Sequence, residues 1–409
     1  MWTDFDCQNL NADKARVYLE RSKSSPINLR LDEEGDLSLY DLFPQIVLHT
    51  IGRLKSLIIN ATPWNLPAIT AHLSRHAPLL EHLSIDGNCK SESQRNPVLT
   101  TSLFNGDLSP LRELCLHSVR TGLPWGNMVN LTSFELGHTI PDHVSIREFL
   151  DFFESAPRLR KIELVFASPT SGAQHGRLVS LARLKWMNIV GEEPPYLLLD
   201  HLIIPAGAEL TTQGASDDPL IENLLPKSLG NLRNLSGFTK IHLHFDAYNP
   251  HMQFSGPNGQ VRIYLSHRGD TTCLALESLA RFDTSKTEWL RIDHGSSPSN
   301  DPPYRALLHM EHLRTLVLSR CTSPDIFIRA LDPNNGVSGV VVCPKLEKLV
   351  LVFRLNRGTL DIKNVIDMAA ARASRGAKLR TVRIVSGQNE LDLVDVLELG
   401  KHVWRVSRT

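Results

Sequence analysis

The sequence predicts an α/β fold, a solenoid of stacked repeats with parallel strands on one wall and helices on the other, and three observations predict it. An apolar frame, L-x-x-L-x-L, recurs along the chain. It is clearest in LKSLII (Leu54, Leu57, Ile59), LEHLSI (Leu80, Leu83, Ile85), LRELCL (Leu111, Leu114, Leu116), LRTLVL (Leu313, Leu316, Leu318) and LEKLVL (Leu346, Leu349, Leu351). Side chains alternate across a strand, so the second and third frame positions point to one side and the residues between them to the other. Between frames, apolar residues recur every three or four positions, as in Leu66-Ile69-Leu73, Ile146-Phe149-Leu150-Phe153 and Ile362-Val365-Ile366-Ala369-Ala370, which is the helical period. Finally, Pro78, Pro157 and Pro344 stand just ahead of the next frame. Proline cannot continue a helix there and biases its predecessor toward extended backbone.

Taken in order from the N-terminus, KARVYLERS predicts a helix over Lys14–Ser22, and after Pro26 a strand turns Ile27, Leu29 and Leu31 inward. The acidic run Asp32-Glu33-Glu34-Asp36 around Gly35 reads as a solvated turn, because the regular ligand spacing of a calcium loop is missing. After the frames at Leu54, Leu80 and Leu111 come degenerate copies: Leu131/Phe134/Leu136, Leu159/Ile162/Leu164, Leu184/Met187/Ile189, Leu199/Leu202/Ile204, Phe238/Ile241/Leu243, Thr287/Leu290/Ile292 and, last, Leu379/Val382/Ile384. Their mean step of about 30 residues is slightly above the roughly 20–29 of regular leucine-rich repeats. The steps are uneven, from 15 residues between Leu184 and Leu199 to 49 between Phe238 and Thr287. The expectation is an irregular leucine-rich-repeat solenoid, an uneven horseshoe with parallel concave strands and convex helices. Residues 1–26 form an N-terminal segment with a capping helix, and 27–409 the array, with insertions near 205–237, 246–270 and 294–303. The first insertion predicts a loop with one short helix. In the second, Asn258-Gly259 between alternating runs signals a hairpin, and the third reads as a surface loop by its Ser, Pro, Asn and Asp content. The closing DLVDVLELGKHVWRV covers the apolar edge of the last repeat.

Composition narrows the function. Lys plus Arg and Asp plus Glu are 44 each, so the net charge of zero gives no electrostatic case for nucleic acid or an anionic membrane. The longest apolar stretches fall far short of the 18 or so residues of a membrane span, and no signal segment opens the chain. Six cysteines without a C-x-x-C pair suit reduced thiols. The expected location is cytoplasmic, nuclear or both.

Catalytic and cofactor motifs are missing from the sequence: there is no H-E-x-x-H, G-x-S-x-G, G-x-x-x-x-G-K-[ST] or G-x-G-x-x-G. The expectation is a protein with no enzymatic activity, no cofactor and no metal. His242 and His244 in KIHLHF sit two apart on one strand face and could share a metal, but the sequence places no third ligand. The plainer reading is two polar residues alternating with Ile241 and Leu243. Cys115 and Cys343 have nothing basic fixed beside them and read as small apolar side chains.

What remains is the concave wall, one residue outside each core position. It carries His82, Asp86, Glu113, His117, Lys161, Glu163, Trp186, His242, His244, Trp289, Arg291, Asp293 and Arg383. Tryptophan and arginine are the residue types that anchor protein interfaces, so this wall is the candidate docking face for a target protein. The alternative for Trp186 and Trp289 is cover by the neighbouring insertions.

WTDFDC followed by KARVYLERSKSSPINLRL resembles the segment after the F-box in a large fungal group of F-box/leucine-rich-repeat proteins. The positions that match are Trp2, Asp4, Asp6, the helix Lys14–Ser22, Pro26 and the strand Ile27/Leu29/Leu31, with an aspartate-rich turn ahead of the helix. The resemblance implies a substrate-recognition subunit that docks on the Skp-type adaptor of a cullin-based ubiquitin ligase. An F-box opens on a Leu-Pro-x-Glu-like sequence. Leu66-Pro67, Leu123-Pro124 and Leu225-Pro226 lack the acidic follow-up, and Met1-Trp2 stands where the family's F-box ends. Adaptor docking is therefore expected only with an F-box restored upstream, and a stand-alone interaction scaffold is the alternative.

Overall fold

The computed structural model describes residues 3–6, 12–32, 38–88, 96–99, 103–120, 127–138, 145–167, 176–191, 193–214, 224–246, 250–265, 271–295, 301–335, 340–353, 360–386 and 392–408. The chain divides into two compact units, Met1–Pro205 and Ala206–Thr409. Each is a mixed α/β assembly around a mostly parallel sheet.

In the first unit the elements run β1 (Asp4–Asp6), α1 (Ala12–Ser22), β2 (Ile27–Asp32), α2 (Ser38–Thr50), β3 (Leu54–Asn60), α3 (Leu66–Thr70), β4 (His82–Asp86), β5 (Glu113–His117) and β6 (Ser133–Gly137). They continue with α4 (Ile146–Ser155), β7 (Lys161–Val165), β8 (Val179–Ser180), β9 (Trp186–Gly191), α5 (Tyr196–Leu199) and β10 (Leu202–Ile203). Strands β1 to β7 and then β9 pair in parallel, each with the next. The frames fall in phase: Leu57, Leu83, Leu114, Phe134, Ile162 and Met187 occupy one rung, and Ile59, Ile85, Leu116, Leu136, Leu164 and Ile189 the next. All are buried. Removing each such side chain from water is worth roughly 1.5–3 kcal/mol, which is why the register holds.

The second unit runs β11 (Glu209–Gly214), β12 (Lys240–His244), β13 (His251–Gly256), β14 (Gly259–Tyr264), α6 (Thr271–Ser278), β15 (Trp289–Asp293), α7 (Asp301–Leu308) and β16 (Thr315–Ser319). It ends with α8 (Pro324–Leu331), β17 (Lys348–Phe353), α9 (Ile362–Ser374), β18 (Thr381–Ser386), α10 (Leu393–His402) and β19 (Arg405–Arg408). Strands β12 and β15 to β19 are parallel, with Ile241, Leu290, Leu316, Leu349, Val382 and Val406 on one rung. β13 is antiparallel to both β12 and β14, and β14 lies parallel to β11.

Strand starts and ends are built alike in both units. A turn closes from the first frame residue to the carbonyl three before it, as from Leu80 to Ala77, Leu159 to Ala156 and Leu346 to Cys343, with Pro78, Pro157 and Pro344 at its second position. Two successive N–H groups then share the carbonyl of the residue just ahead of the preceding strand: Arg112 and Glu113 on Glu81, Arg160 and Lys161 on Thr132, Arg314 and Thr315 on Glu288, Glu347 and Lys348 on Arg314. Just past the strand, Ser118, His138, Phe166, His294 and Arg320 all take φ between +47° and +60°, a left-handed conformation unusual for such residues. Each gives its N–H to the end of the next strand, to Gly137, Val165, Val190, Ser319 and Val352 respectively.

Expected helices form where their periodicity places them. In α4, Ser145 and Glu148 complete a capping box over the buried face of Ile146, Phe149, Leu150, Phe152 and Phe153. The helix expected from Lys14 starts at Ala12, and Leu66-Ile69-Leu73 splits into α3 and a tight turn over Ala71–Leu73.

Several expectations are corrected. Among the described residues Leu199/Leu202/Ile204 does not continue the main sheet: Leu199 ends α5, and two-residue β10 pairs with β8, because Pro194-Pro195 and α5 consume a step of 15 residues. Residues 205–237 hold a strand, β11, instead of only a loop, and two tight turns, Leu229–Asn231 and Arg233–Leu235; 215–223 lie outside the described residues. The hairpin turn is Pro257-Asn258, not Asn258-Gly259. Gly256 pairs with Gly259, whose φ of +120° and approach to the Ala208 backbone leave no room for a side chain. Asp301 to Pro303 open α7 instead of ending a loop, with both prolines in its first turn; 296–300 lie outside the described residues. Asp4–Asp6 is a strand with Phe5 buried, not a turn, while Trp2, Cys7 and most of the acidic run lie outside the described residues. At the other end β19 pairs in parallel with β18 after α10, and Leu393, Val394 and Leu397 on α10 are exposed.

Candidate functional site

Opposite its buried rungs, each sheet leaves a face of half-buried polar side chains. On the first unit, neighbouring strands bring His82 Nδ1 2.9 Å from the Glu113 carboxylate, and His117 Nε2 2.9 Å from that of Glu135. Gly137 stands beside His117 in register, and any larger residue would strike the imidazole. Lys161 bridges Glu135 at 3.2 Å and Glu163 at 3.0 Å while its ammonium lies 5.1 Å from the centre of the Trp186 ring. Asp86 caps the turn after its strand by accepting the Asn88 N–H.

Burial alone would raise the Glu135 pKa, but hydrogen bonds from His117 and Lys161 outweigh it and hold the carboxyl below its usual value. Lys161 is shifted the other way: burial works to lower its pKa, and Glu163 and Glu135 raise it past its usual value. A carboxylate with a depressed folded-state pKa adds stability that is complete above its unfolded value near 4.3 and is lost as pH falls through the folded one. Glu135→Gln is therefore expected to cost about 1 kcal/mol at pH 7, as a half-buried ion pair does. Urea titrations from pH 7 to pH 3 should show the gap between wild type and variant closing below about pH 4. A gap independent of pH would assign the loss to packing.

Cys115 lies beside His117 and Glu135, close enough for the three to be a metal-ligand set. Burial, reinforced by Glu135, pushes the thiol pKa up to about 11, so the cluster favours a neutral thiol. Burial likewise raises Cys343 to about 12.

On the second unit one rung across three strands reads His251, His244, Asp293. His242 Nε2 lies 2.6 Å from Asp293 Oδ2, and the Arg291 guanidinium donates to the same carboxylate at 2.9 Å. Burial alone would raise the Asp293 pKa, yet the bonds from His242, Arg291 and Ser319 hold it well below the carboxylate range. Trp289 is half-buried with its ring 6.4 Å from that of His242, and Arg383 is half-buried on β18.

The structure thus gathers His82 with Glu113, His117 with Lys161, Glu163 and Trp186, and His242 with His244, Trp289 and Arg291. Asp293 is at a predicted outward position but is nearly enclosed. Glu135 is the residue that joins the first network, and its place between Phe134 and Leu136 is the alternation signal that finds it. His251 joins through strand pairing, which no local pattern encodes, and His294 through its place just past β15.

Among the described residues no helix is long and apolar enough to cross a membrane. The chain matches no family model and no curated protein.

Proposed function

We propose that the chain is an irregular leucine-rich-repeat solenoid that docks a target protein on the open face of its parallel strands, as the substrate-recognition part of an F-box-type ubiquitin-ligase subunit. The in-phase apolar rungs, the repeated proline-bearing turn and the left-handed exit residue support the repeat reading. The observation that carries the docking reading is the open face itself: charged groups already paired with one another surround half-buried tryptophans, Trp186 braced by Lys161 and Trp289 beside His242. Such rigid aromatic anchors within a polar setting are the composition of an interface centre and its rim.

Cross-linking and mass spectrometry on the full chain in cells tests this. Trp186→Ala or Trp289→Ala should lower recovery of a specific partner by about tenfold or more, with Arg147→Ala on α4 as the neutral comparison. Recovery of a Skp-type adaptor with that partner supports the recognition subunit, and the partner without an adaptor supports a plain scaffold. If neither tryptophan variant alters recovery, the face is not the docking surface.

A further inference from the structure

We propose that His242, His244 and Asp293 form a binding site for one divalent transition-metal ion, zinc or a metal of similar preference, on the open sheet face of the second unit. Their ligand atoms all lie within 4.8 Å of one another, and they come from two paired strands, so the sheet fixes the spacing. Tetrahedral zinc, with bonds of about 2.0–2.1 Å, separates its ligand atoms by about 3.4 Å. His244 Nδ1 and Asp293 Oδ2 are 3.6 Å apart, while His242 Nε2, at 2.6 Å from that oxygen, must open by under an ångström and exchange the hydrogen it gives Asp293 for the metal, the neutral ring then carrying its hydrogen on Nδ1.

The hydrogen bonding of His244 makes the stronger argument. Its Nε2 donates to Asp246 Oδ2 at 2.8 Å, which fixes the tautomer and leaves Nδ1 as a lone pair. That Nδ1 is buried, has no hydrogen-bond partner and faces a carboxylate oxygen, acceptor against acceptor. A buried acceptor left in this state is costly, and a cation between the two atoms removes the conflict. Imidazole held by a carboxylate on its far nitrogen is also the usual outer support of a metal-ligating histidine.

Access and further ligands are at hand. The side chains of His242, His244 and Asp293 are 26%, 21% and 7% exposed, so an ion can enter from solvent while the carboxylate stays enclosed. The His251 and His294 rings lie 5.1 and 5.6 Å from that of His244, which puts two further imidazoles beside the three ligands. Arg291 Nε lies 2.9 Å from both Asp293 oxygens and stays on Oδ1 when the ion takes the place of the His242 hydrogen at Oδ2.

The experiment titrates zinc and, separately, cobalt(II) into the metal-free full chain, reading stoichiometry by calorimetry and coordination by the visible bands of tetrahedral cobalt. The expected result is one equivalent bound with those bands present. His242→Gln and His244→Gln should each weaken binding by about tenfold or more, and His82→Gln/His117→Gln on the other unit should leave it unchanged. His242 and His244 are half-buried and Gln keeps a polar side chain there, and circular dichroism checks that the variants fold; Asp293→Asn is a third variant if it also folds. No binding overturns the proposal, as does binding that survives both variants or is lost only with His82 and His117. A nitrogen-15 spectrum of the metal-free protein at pH 7.5 showing His244 doubly protonated overturns it too, because an imidazolium between Asp246 and Asp293 then resolves the same conflict. The outcome is independent of the docking reading, since metal binding is measured without any partner.

Discussion

Leu316→Asp is expected to abolish cooperative folding of the second unit, while Thr315→Asp, one residue away, shifts its melting temperature by only a few degrees. Leu316 is completely buried on a rung between Leu290 and Leu349, and Thr315 points to the opposite, half-buried face. A carboxylate forced into the rung has no partner there, and an unpaired buried charge costs several kcal/mol beyond the lost leucine packing. Total stabilities of about 5–15 kcal/mol leave little to absorb it. At position 315 the new carboxylate faces solvent next to Lys348, its neighbour in register, and the cost is the sub-kcal/mol to ~1 kcal/mol penalty of aspartate in a strand. Thermal melts combined with amide exchange check both. Exchange in Leu316→Asp should rise first on the neighbouring strands β15 and β17, because each rung leans on the next. Equal behaviour of the two variants would mean that inward and outward faces have been exchanged.

That contrast also marks what the sequence reveals. Alternation within a strand is local, so the frames at Leu57, Leu83, Leu114, Leu290, Leu316 and Leu349 are legible and all lie on buried rungs. Register between strands is not local. His242 and His244 read alone as polar alternation, and only the pairing of β12 with β13 and β15 sets His251 and Asp293 beside them across the sheet. The frame at Leu199 shows the reverse failure: its spacing is correct, but too little chain precedes it to complete a crossover of the dozen or so residues a parallel step requires. The exit residues escape notice for another reason. A left-handed position ordinarily advertises itself with glycine, whereas here Ser118, His138, Phe166, His294 and Arg320 are held there by an N–H bond to the next strand.

Replacement of Arg372 by methionine should cost roughly 2–4 kcal/mol of stability, a core-sized effect from a residue type that ordinarily lies at the surface. Helical spacing puts Arg372 on the same buried face of α9 as Val365, Met368 and Ala369, and its side chain is fully enclosed. Its guanidinium donates to the carbonyls of Val342 at 2.7 Å and Cys343 at 2.8 Å, and more weakly to that of Leu331 at 3.4 Å. Leu331 ends α8, where carbonyls have no helical partner, and Cys343 opens the turn that launches β17. One cation therefore ties a helix end to a strand start. Methionine fills similar volume, so the cavity term is small and the loss is that of the donors to the Val342 and Leu331 carbonyls, while the Cys343 carbonyl keeps the Leu346 N–H of its turn. Opposing it is the burial of the guanidinium, whose Nε has no partner and whose pKa burial lowers. Because a buried charge bonded only to neutral dipoles is itself costly, the balance can be decided by urea denaturation alone. Arg372→Lys, which can reach one or two of the carbonyls, should fall between wild type and methionine. A methionine variant as stable as the wild type would show that desolvation of the guanidinium outweighs its bonds, and that Arg372 specifies the geometry of this junction without stabilising it.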